Sequence, residues 1–229
     1  MKALIYYGNN DIRLEKNWAD PRLENTTDAI IKINYTSICA TDIEEWQYGP
    51  NYIQKKDLPI VHGHEITGEV IEIGKNVKNL VIGDTVAVNN VIHCNKCFWC
   101  LNGQGGACSE MKVAGFALDG GLSEYMKWPS PNLIKISDEI PKKYGALIEP
   151  TTVATHAVRK SGVRPGDNVA VVGCGTVGLL TVQVLKASGA IVTALDIRKE
   201  SLNLAKSFAK AILRSIQALL ASLTISAVS

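Results

Sequence analysis

Residues 168–196 read NVAVVGCGTVGLLTVQVLKASGAIVTALD, and this stretch decides the class of the C-terminal part of the chain. It begins as a short run of Val and Ala, the composition of a buried strand. A GxGxxG turn follows at 173–178, then apolar positions at helical spacing, then a second strand-like run ending on Asp196. Strand, helix and strand in that order predict parallel pairing with a right-handed crossover. Gly173 permits the tight turn, Gly175 lets a pyrophosphate approach the backbone, and Gly178 packs helix against strand. Thr176 and Val177 open the helix, whose first N–H groups suit an anion. Asp196 lies 18 residues beyond Gly178, close to the fingerprint spacing of about 20. A carboxylate there accepts from the ribose hydroxyls and repels a 2′-phosphate, which predicts NAD rather than NADP. A plain βαβ turn without a ligand is the simpler alternative.

On either side of this unit the pattern continues: a turn with Pro165 precedes it, a helical pattern over 146–160 precedes the turn, and a further helix is expected from Lys199. Residues 1 to about 150 have a different texture. Short runs rich in Val, Ile, Thr or Tyr, at 2–7, 29–38, 65–73, 84–90 and 122–128, are separated by Gly, Pro and Asn. Such spacing predicts a compact antiparallel, barrel-like domain. The expected organisation is therefore multidomain, β then α/β, with boundaries at 1–150 and 151–229.

Four of the six cysteines crowd together as Cys94-x2-Cys97-x2-Cys100-x7-Cys108. Four thiolates on one looping segment suit a closed tetrahedral ion, which predicts a structural zinc. Ferredoxin-type clusters share the first two spacings, but they continue with a three-residue gap and Cys-Pro, whereas here the gap is seven and Ser109 follows. Disulfide frameworks belong to small secreted domains, so a reducing, cytoplasmic setting is expected.

A second, scattered group comprises Cys39, His64 and Glu149. One sulfur, one imidazole and one carboxylate leave a fourth position open, the pattern of a catalytic zinc. Singly, each has a plainer reading: a buried thiol, a satisfied histidine, an acid at a helix start. Spacing alone does not bring the three together.

Composition narrows the function classes. Lys plus Arg number 24 and Asp plus Glu 22, for a formal charge of +2, and charged residues make up 20%. That balance offers no basic field for nucleic acid. No uncharged segment supplies the roughly eighteen apolar residues of a membrane span. The expected partner is a small molecule, with neither nucleic acid nor membrane.

Taken together, Ser37–Asp42, Gly63-His64-Glu65 with Gly68, the four-cysteine segment, Gly120–Tyr125, Leu147–Pro150 and the glycine-rich turn resemble the zinc-dependent medium-chain alcohol dehydrogenases. The likeness is strongest to the polyol branch, which includes sorbitol, 2,3-butanediol, threonine and glucose dehydrogenases, and it covers about residues 1–206. It implies a GroES-like β-barrel domain followed by a Rossmann domain, with the active site in the cleft between them. It also implies two zinc ions per chain and NAD, a secondary alcohol or polyol as substrate, and a homo-oligomer. By resemblance, Cys39, His64 and Glu149 are catalytic zinc ligands, and Glu65 is a carboxylate that approaches or replaces one of them. Thr41 is the hydroxyl that meets the substrate alcohol. Glu44 stands where many relatives carry histidine, and it is a candidate proton relay or a solvated helix-face acid.

The likeness fades near Ser207. Apolar residues at 212, 216, 219, 220 and 223 recur at helical spacing, so the reading is two clear strands in an incomplete Rossmann sheet, then an atypical helical tail from about 207. Such an ending reads as a truncated or frame-shifted product, and it argues against the family's homo-oligomer. A non-catalytic, zinc-stabilised remnant of such a dehydrogenase is the alternative function.

Overall fold

The computed structural model describes residues 1–213, which divide into two units, 1–149 and from 150 onward. In the first unit the strands are β1 (Ala3–Gly8), β2 (Asp11–Glu15), β3 (Asp28–Ser37), β4 (Ile60–Val61), β5 (Glu65–Ile73), β6 (Thr85–Val88), β7 (Val91–Ile92), β8 (Lys112–Val113), β9 (Tyr125–Pro129) and β10 (Leu133–Lys135). Five of them form one antiparallel sheet in the order β10-β6-β5-β3-β9. A second sheet runs β2-β1-β4, and β7 pairs with β8. Helix α1 (Ala40–Tyr48) follows β3, and a single turn, α2 (Phe98–Leu101), sits among the clustered cysteines.

The strand-like runs read from sequence correspond to β1, β3, β5, β6 and β9. The shorter β2, β4, β7, β8 and β10 carry too few alternating residues to register. Packing explains the long sheet. Ile31, Val70, Val86 and Trp128 project from neighbouring strands into one buried cluster with Ile66, Met126 and Leu133. Fully burying each aliphatic side chain contributes about 1.5–3 kcal/mol. The Trp128 indole N–H still finds a partner, the carbonyl of Asn89 at 2.9 Å.

The pairing of β3 with β5 builds a corner of the sheet. Ser37 at the end of β3 lies opposite Glu65 at the start of β5, after register shifts between Ile30 and Ile31 and between Ile33 and Tyr35. The sequence segments on either side of that pair, 38–42 and 62–64, are thereby brought to the same corner.

Helix α3 (Ile148–Ser161) begins with the last two residues of the first unit and continues into the second, which also holds β11 (Asn168–Val172), α4 (Thr176–Ala187), β12 (Ile191–Asp196), α5 (Lys199–Ala205) and β13 (Lys210–Leu213). Its sheet is parallel, in the order β11-β12-β13. Val171, Val182, Leu185, Val192, Ala194 and Leu202 form its core. The sequence reading of two clear strands needs correction here. Residues 210–213 form a third strand along β12, although Ile212 begins the apolar stripe read as helix. A short apolar run suits a buried strand and a helix equally, and the free edge of an adjacent strand decides between them. The rest of that stripe, 214–223, lies outside the described residues.

Candidate functional site

Two groups of metal-type donors stand out among the described residues, and the chain assembles them differently. The first is local. The ligand atoms of Cys94, Cys97, Cys100 and Cys108 lie within 4.8 Å of one another. The loop turns inward through Asn95 at φ 56° and Gly103 at φ 70°. Backbone amides point at the sulfurs: the Cys94 N–H donates to Cys108 Sγ at 3.4 Å, and the Cys97 N–H to Cys94 Sγ at 3.4 Å. Cys94 and Cys100 Sγ are 3.9 Å apart, and all six cysteines are free thiols. The amide of Cys100 leads the effects that lower the Cys97 thiol to about 6. Burial pushes the neighbouring Cys100 thiol the other way, up to about 12, and four sulfurs grouped in this way suit a soft divalent ion.

The second group is long-range. Cys39, His64 and Glu65 offer ligand atoms within 4.8 Å of one another at the corner made by β3 and β5. His64 and Glu65 are buried, and Cys39 is partly so. Ser37 on β3 donates its hydroxyl to Glu65 Oε2 across the strand pair. The turn before His64 needs Gly63, at φ +90°, because a Cβ there would meet Leu122 Cγ at 2.8 Å. The segment 120–122 runs against this turn: Gly121 N–H donates to the Gly63 carbonyl at 2.9 Å and Leu122 N–H to that of His62 at 2.9 Å. His64 is thus held from both sides.

Asp42 is the partner that sequence reading left without a role. It sits in the first turn of α1, 4% exposed, and its Oδ2 accepts from the Cys39 backbone N–H at 2.9 Å. Its Oδ1 lies 3.3 Å from His64 Nδ1 and 3.3 Å from His62 Nδ1. An acid in the first helical turn is a common N-terminal feature, so its local signal was visible while its contact with His64 was not.

These surroundings favour positive charge. Burial disfavours the charged His64 imidazole, yet Asp42 and Cys39 beside it carry its pKa up to about 10. The same pairing with His64 lowers the Cys39 thiol against the opposing effect of burial. A thiol and two buried carboxylates around one imidazole form a donor set suited to a divalent cation, which fits the residues to zinc.

The remaining candidates lie around these two groups. Glu149, in the first turn of α3, is not within the 4.8 Å group, and its Oε1 accepts from Asn90 Nδ2 at 3.3 Å. Burial raises its pKa, with the nearby Glu65 acting in the same direction. Asn90, on the loop after β6, is a buried contributor that no sequence pattern marked. The Thr41 hydroxyl is buried without a hydrogen-bond partner. Glu44 is exposed on α1, and its carboxylate has no ion-pair or hydrogen-bond partner among the described residues.

In the second unit, Gly173 adopts φ +95°, and a Cβ on Gly178 would come within 1.9 Å of the Gly173 carbonyl. Gly175 caps α4, Thr176 and Val177 open it, and space around Gly175 is open to 4.0 Å, where Arg198 begins. Asp196 at the end of β12 accepts from the Cys174 N–H at 2.7 Å and the Arg198 N–H at 2.7 Å. Those amides, that of Arg198 first, hold its pKa below the usual carboxylate value.

Residues 25–138 match the alcohol dehydrogenase GroES-like domain family, and residues 145–226 match the alanine dehydrogenase/PNT C-terminal domain family. Over 193 residues the chain is 40% identical to a probable D-xylulose reductase A of Emericella nidulans, covering 82% of this chain and 53% of that protein. Galactitol-1-phosphate dehydrogenase from Escherichia coli superposes with a TM-score of 0.87 at 33% identity, over 95% of this chain and 62% of that one. For 2R,3R-butanediol dehydrogenase from Bacillus subtilis the TM-score is 0.85 at 34% identity, over 94% and 63%. The chain spans about half the length of the curated relatives it matches. A GroES-like first unit, a partial Rossmann-like second one and relatives named as a xylulose reductase and as galactitol-phosphate and butanediol dehydrogenases lead to one conclusion: this chain belongs to the zinc-dependent medium-chain alcohol dehydrogenase family.

Proposed function

We propose that the chain serves an NAD-dependent oxidation of a secondary alcohol or polyol of the butanediol or sorbitol type. In this reading one zinc is held by Cys39 and His64 with Glu65 and Glu149, and a second by Cys94, Cys97, Cys100 and Cys108. The observation that carries it is the convergence of Cys39, His64 and Glu65 within 4.8 Å, with Asp42 behind His64. When bound, zinc supplies a Lewis acid for the alcohol oxygen and the nicotinamide supplies the hydride acceptor.

The chain's own residues do the rest. Asp42 accepts only, so it requires the proton of His64 on Nδ1 and leaves Nε2 as the ligating atom. The Thr41 hydroxyl, buried without a partner, is the group that hydrogen-bonds the substrate alcohol and relays its proton, accepting it while giving up its own. Exposed Glu44, three residues along α1, passes that proton to water. Gly173, Gly175, Thr176, Val177 and Gly178 cradle the pyrophosphate, and Asp196 takes the adenosine ribose and selects NAD. Ligation by free thiolates requires a reducing compartment, and we place the protein in the cytoplasm. Among the described residues no helix is long and apolar enough to cross a membrane.

Elemental analysis of the purified chain tests the metal reading, with two zinc equivalents expected and one remaining in Cys39→Ser. Iron in place of zinc, or an unchanged metal count in Cys39→Ser, would sink it. NADH binding followed by fluorescence, together with a diol oxidation assay, tests the rest. Asp196→Gly should narrow the preference for NAD over NADP. Two zinc equivalents without turnover would favour the non-catalytic alternative.

A further inference from the structure

His62 has no role in this site by sequence pattern, yet it is among the most deeply buried side chains of the first unit. It is 0% exposed, and neither ring nitrogen has a hydrogen-bond partner among the described residues. Burying a polar ring unsatisfied is costly, and an aliphatic side chain of similar volume would fill the space at less expense. Its surroundings fix where the ring points. Tyr6 packs against it at 5.4 Å between centroids and Phe116 at 5.7 Å, and Phe116 also packs on His64 at 5.2 Å. Held in this way, Nδ1 of His62 faces Asp42 Oδ1 at 3.3 Å, the oxygen that also faces His64 Nδ1 at 3.3 Å.

We propose that His62 is a positioning residue for the metal centre: with His64 it clamps one oxygen of Asp42 between two imidazoles, fixing the carboxylate that orients His64. The inference rests on the zinc reading given above. Its physical basis is the geometry of one carboxylate with three claimants. The Cys39 N–H holds Oδ2 at 2.9 Å, so rotation of the carboxylate would release that amide and both rings together. Because the carboxylate only accepts, both imidazoles present Nδ1–H to it, and small ring rotations complete the two bonds. Removing His62 leaves Oδ1 facing one imidazole, that of His64, beside a cavity, and the orientation of His64 loosens with it.

The test uses the full chain loaded with cobalt(II) and three substitutions at one position. Asn places an amide N–H near the position of Nδ1, Gln places it near that of Nε2, and Leu removes it. The expectation is two cobalt equivalents in the unsubstituted chain. The less tightly held one should weaken by about 10–100-fold in His62→Gln and His62→Leu, as for loss of other groups behind a ligand. Its visible ligand-field bands should shift in both, and His62→Asn should restore affinity and bands alike. The thiolate charge-transfer band of the four-cysteine site should stay constant throughout, and should His62→Leu fail to fold, the Asn and Gln pair decides. Equal affinity and unshifted bands in Gln and the unsubstituted chain, or equal loss in Asn and Gln, would overturn the proposal. A chain that takes up only one cobalt would instead overturn the metal centre itself.

Discussion

The four-cysteine loop and the Cys39–His64–Glu65 corner hold similar donor atoms on opposite plans. The loop draws all its ligands from 15 consecutive residues, 94–108, and over 94–110 only Cys108 is buried. It has no apolar core, so its shape depends on what the sulfurs hold. The corner draws on residues far apart in sequence and rests on a sheet whose core is complete without any ion. In one region the metal makes the structure, and in the other the structure makes the metal site.

The sharpest way to break that contrast is to remove one ligand from each. Structural zinc sites in small domains carry apparent binding free energies of about 10–16 kcal/mol at neutral pH. Cys97→Ser should therefore open residues 94–110 to protease and lower the thermal midpoint of the first unit markedly. Cys39→Ser should lose its metal equivalent with the midpoint nearly unchanged. Equal destabilisation by the two would erase the distinction.

A second test asks how far the corner depends on the fold around it. Glu45 on α1 is 0% exposed and accepts from the backbone N–H groups of Asn51, Tyr52 and Ile53. Those amides tie the segment after α1 to the helix that carries Thr41 and Asp42. Glu45→Ala takes away their shared acceptor, leaves the buried Ile53 amide unsatisfied, and should cost about 1–3 kcal/mol. Chemical denaturation read against metal content checks it. The corner should lose metal along with stability, while the cysteine loop keeps its own.

Asp42→Asn is a finer probe. The amide keeps the shape but presents a donor or a weaker acceptor to two imidazoles, and metal affinity at the corner should fall about 10–100-fold. Competition with a chromophoric chelator measures this, and unchanged affinity would remove Asp42 from the site.

The smallest expected effect is on the sheet alone. Asp84 at the head of β6 pairs with Lys135 on β10 at 2.5 Å, and that hydrogen bond leads the effects holding its pKa below the usual value. A carboxyl with a depressed native pKa stabilises above its unfolded value, near about 4, and the contribution is lost as pH falls through the native one. The midpoint difference between the unsubstituted chain and Asp84→Asn should be largest near neutrality and vanish in acid. A difference that grew in acid would contradict the pairing.

The same contrast explains what was legible in the sequence. The cysteine loop could be read from spacing because its geometry is local, and so could the turn at 173–178. The strands over 29–38 and 65–73 were also readable, but their pairing was not, and pairing alone sets Ser37 against Glu65. For that reason spacing left Cys39 and His64 unconnected and only the resemblance joined them, while Asp42, His62 and Asn90 went without roles. Glu149 illustrates the reverse case, in which resemblance grouped a residue that geometry sets outside the tightest cluster. At the far end, β13 was missed because an alternating or helical stripe looks the same over four residues until the edge of β12 offers it partners.

The two register shifts in β3 give the corner a numerical character. Side chains alternate along a strand, so which face each residue occupies is a matter of odd and even counts from the nearest fixed pair. Between Tyr35 and Ser37 the count is already spent, with each residue matched one to one against Thr67, Ile66 and Glu65. Deleting a single residue there inverts the parity of everything up to Cys39. Length along this strand end is therefore fixed as closely as the identity of Ser37, whose hydroxyl meets Glu65.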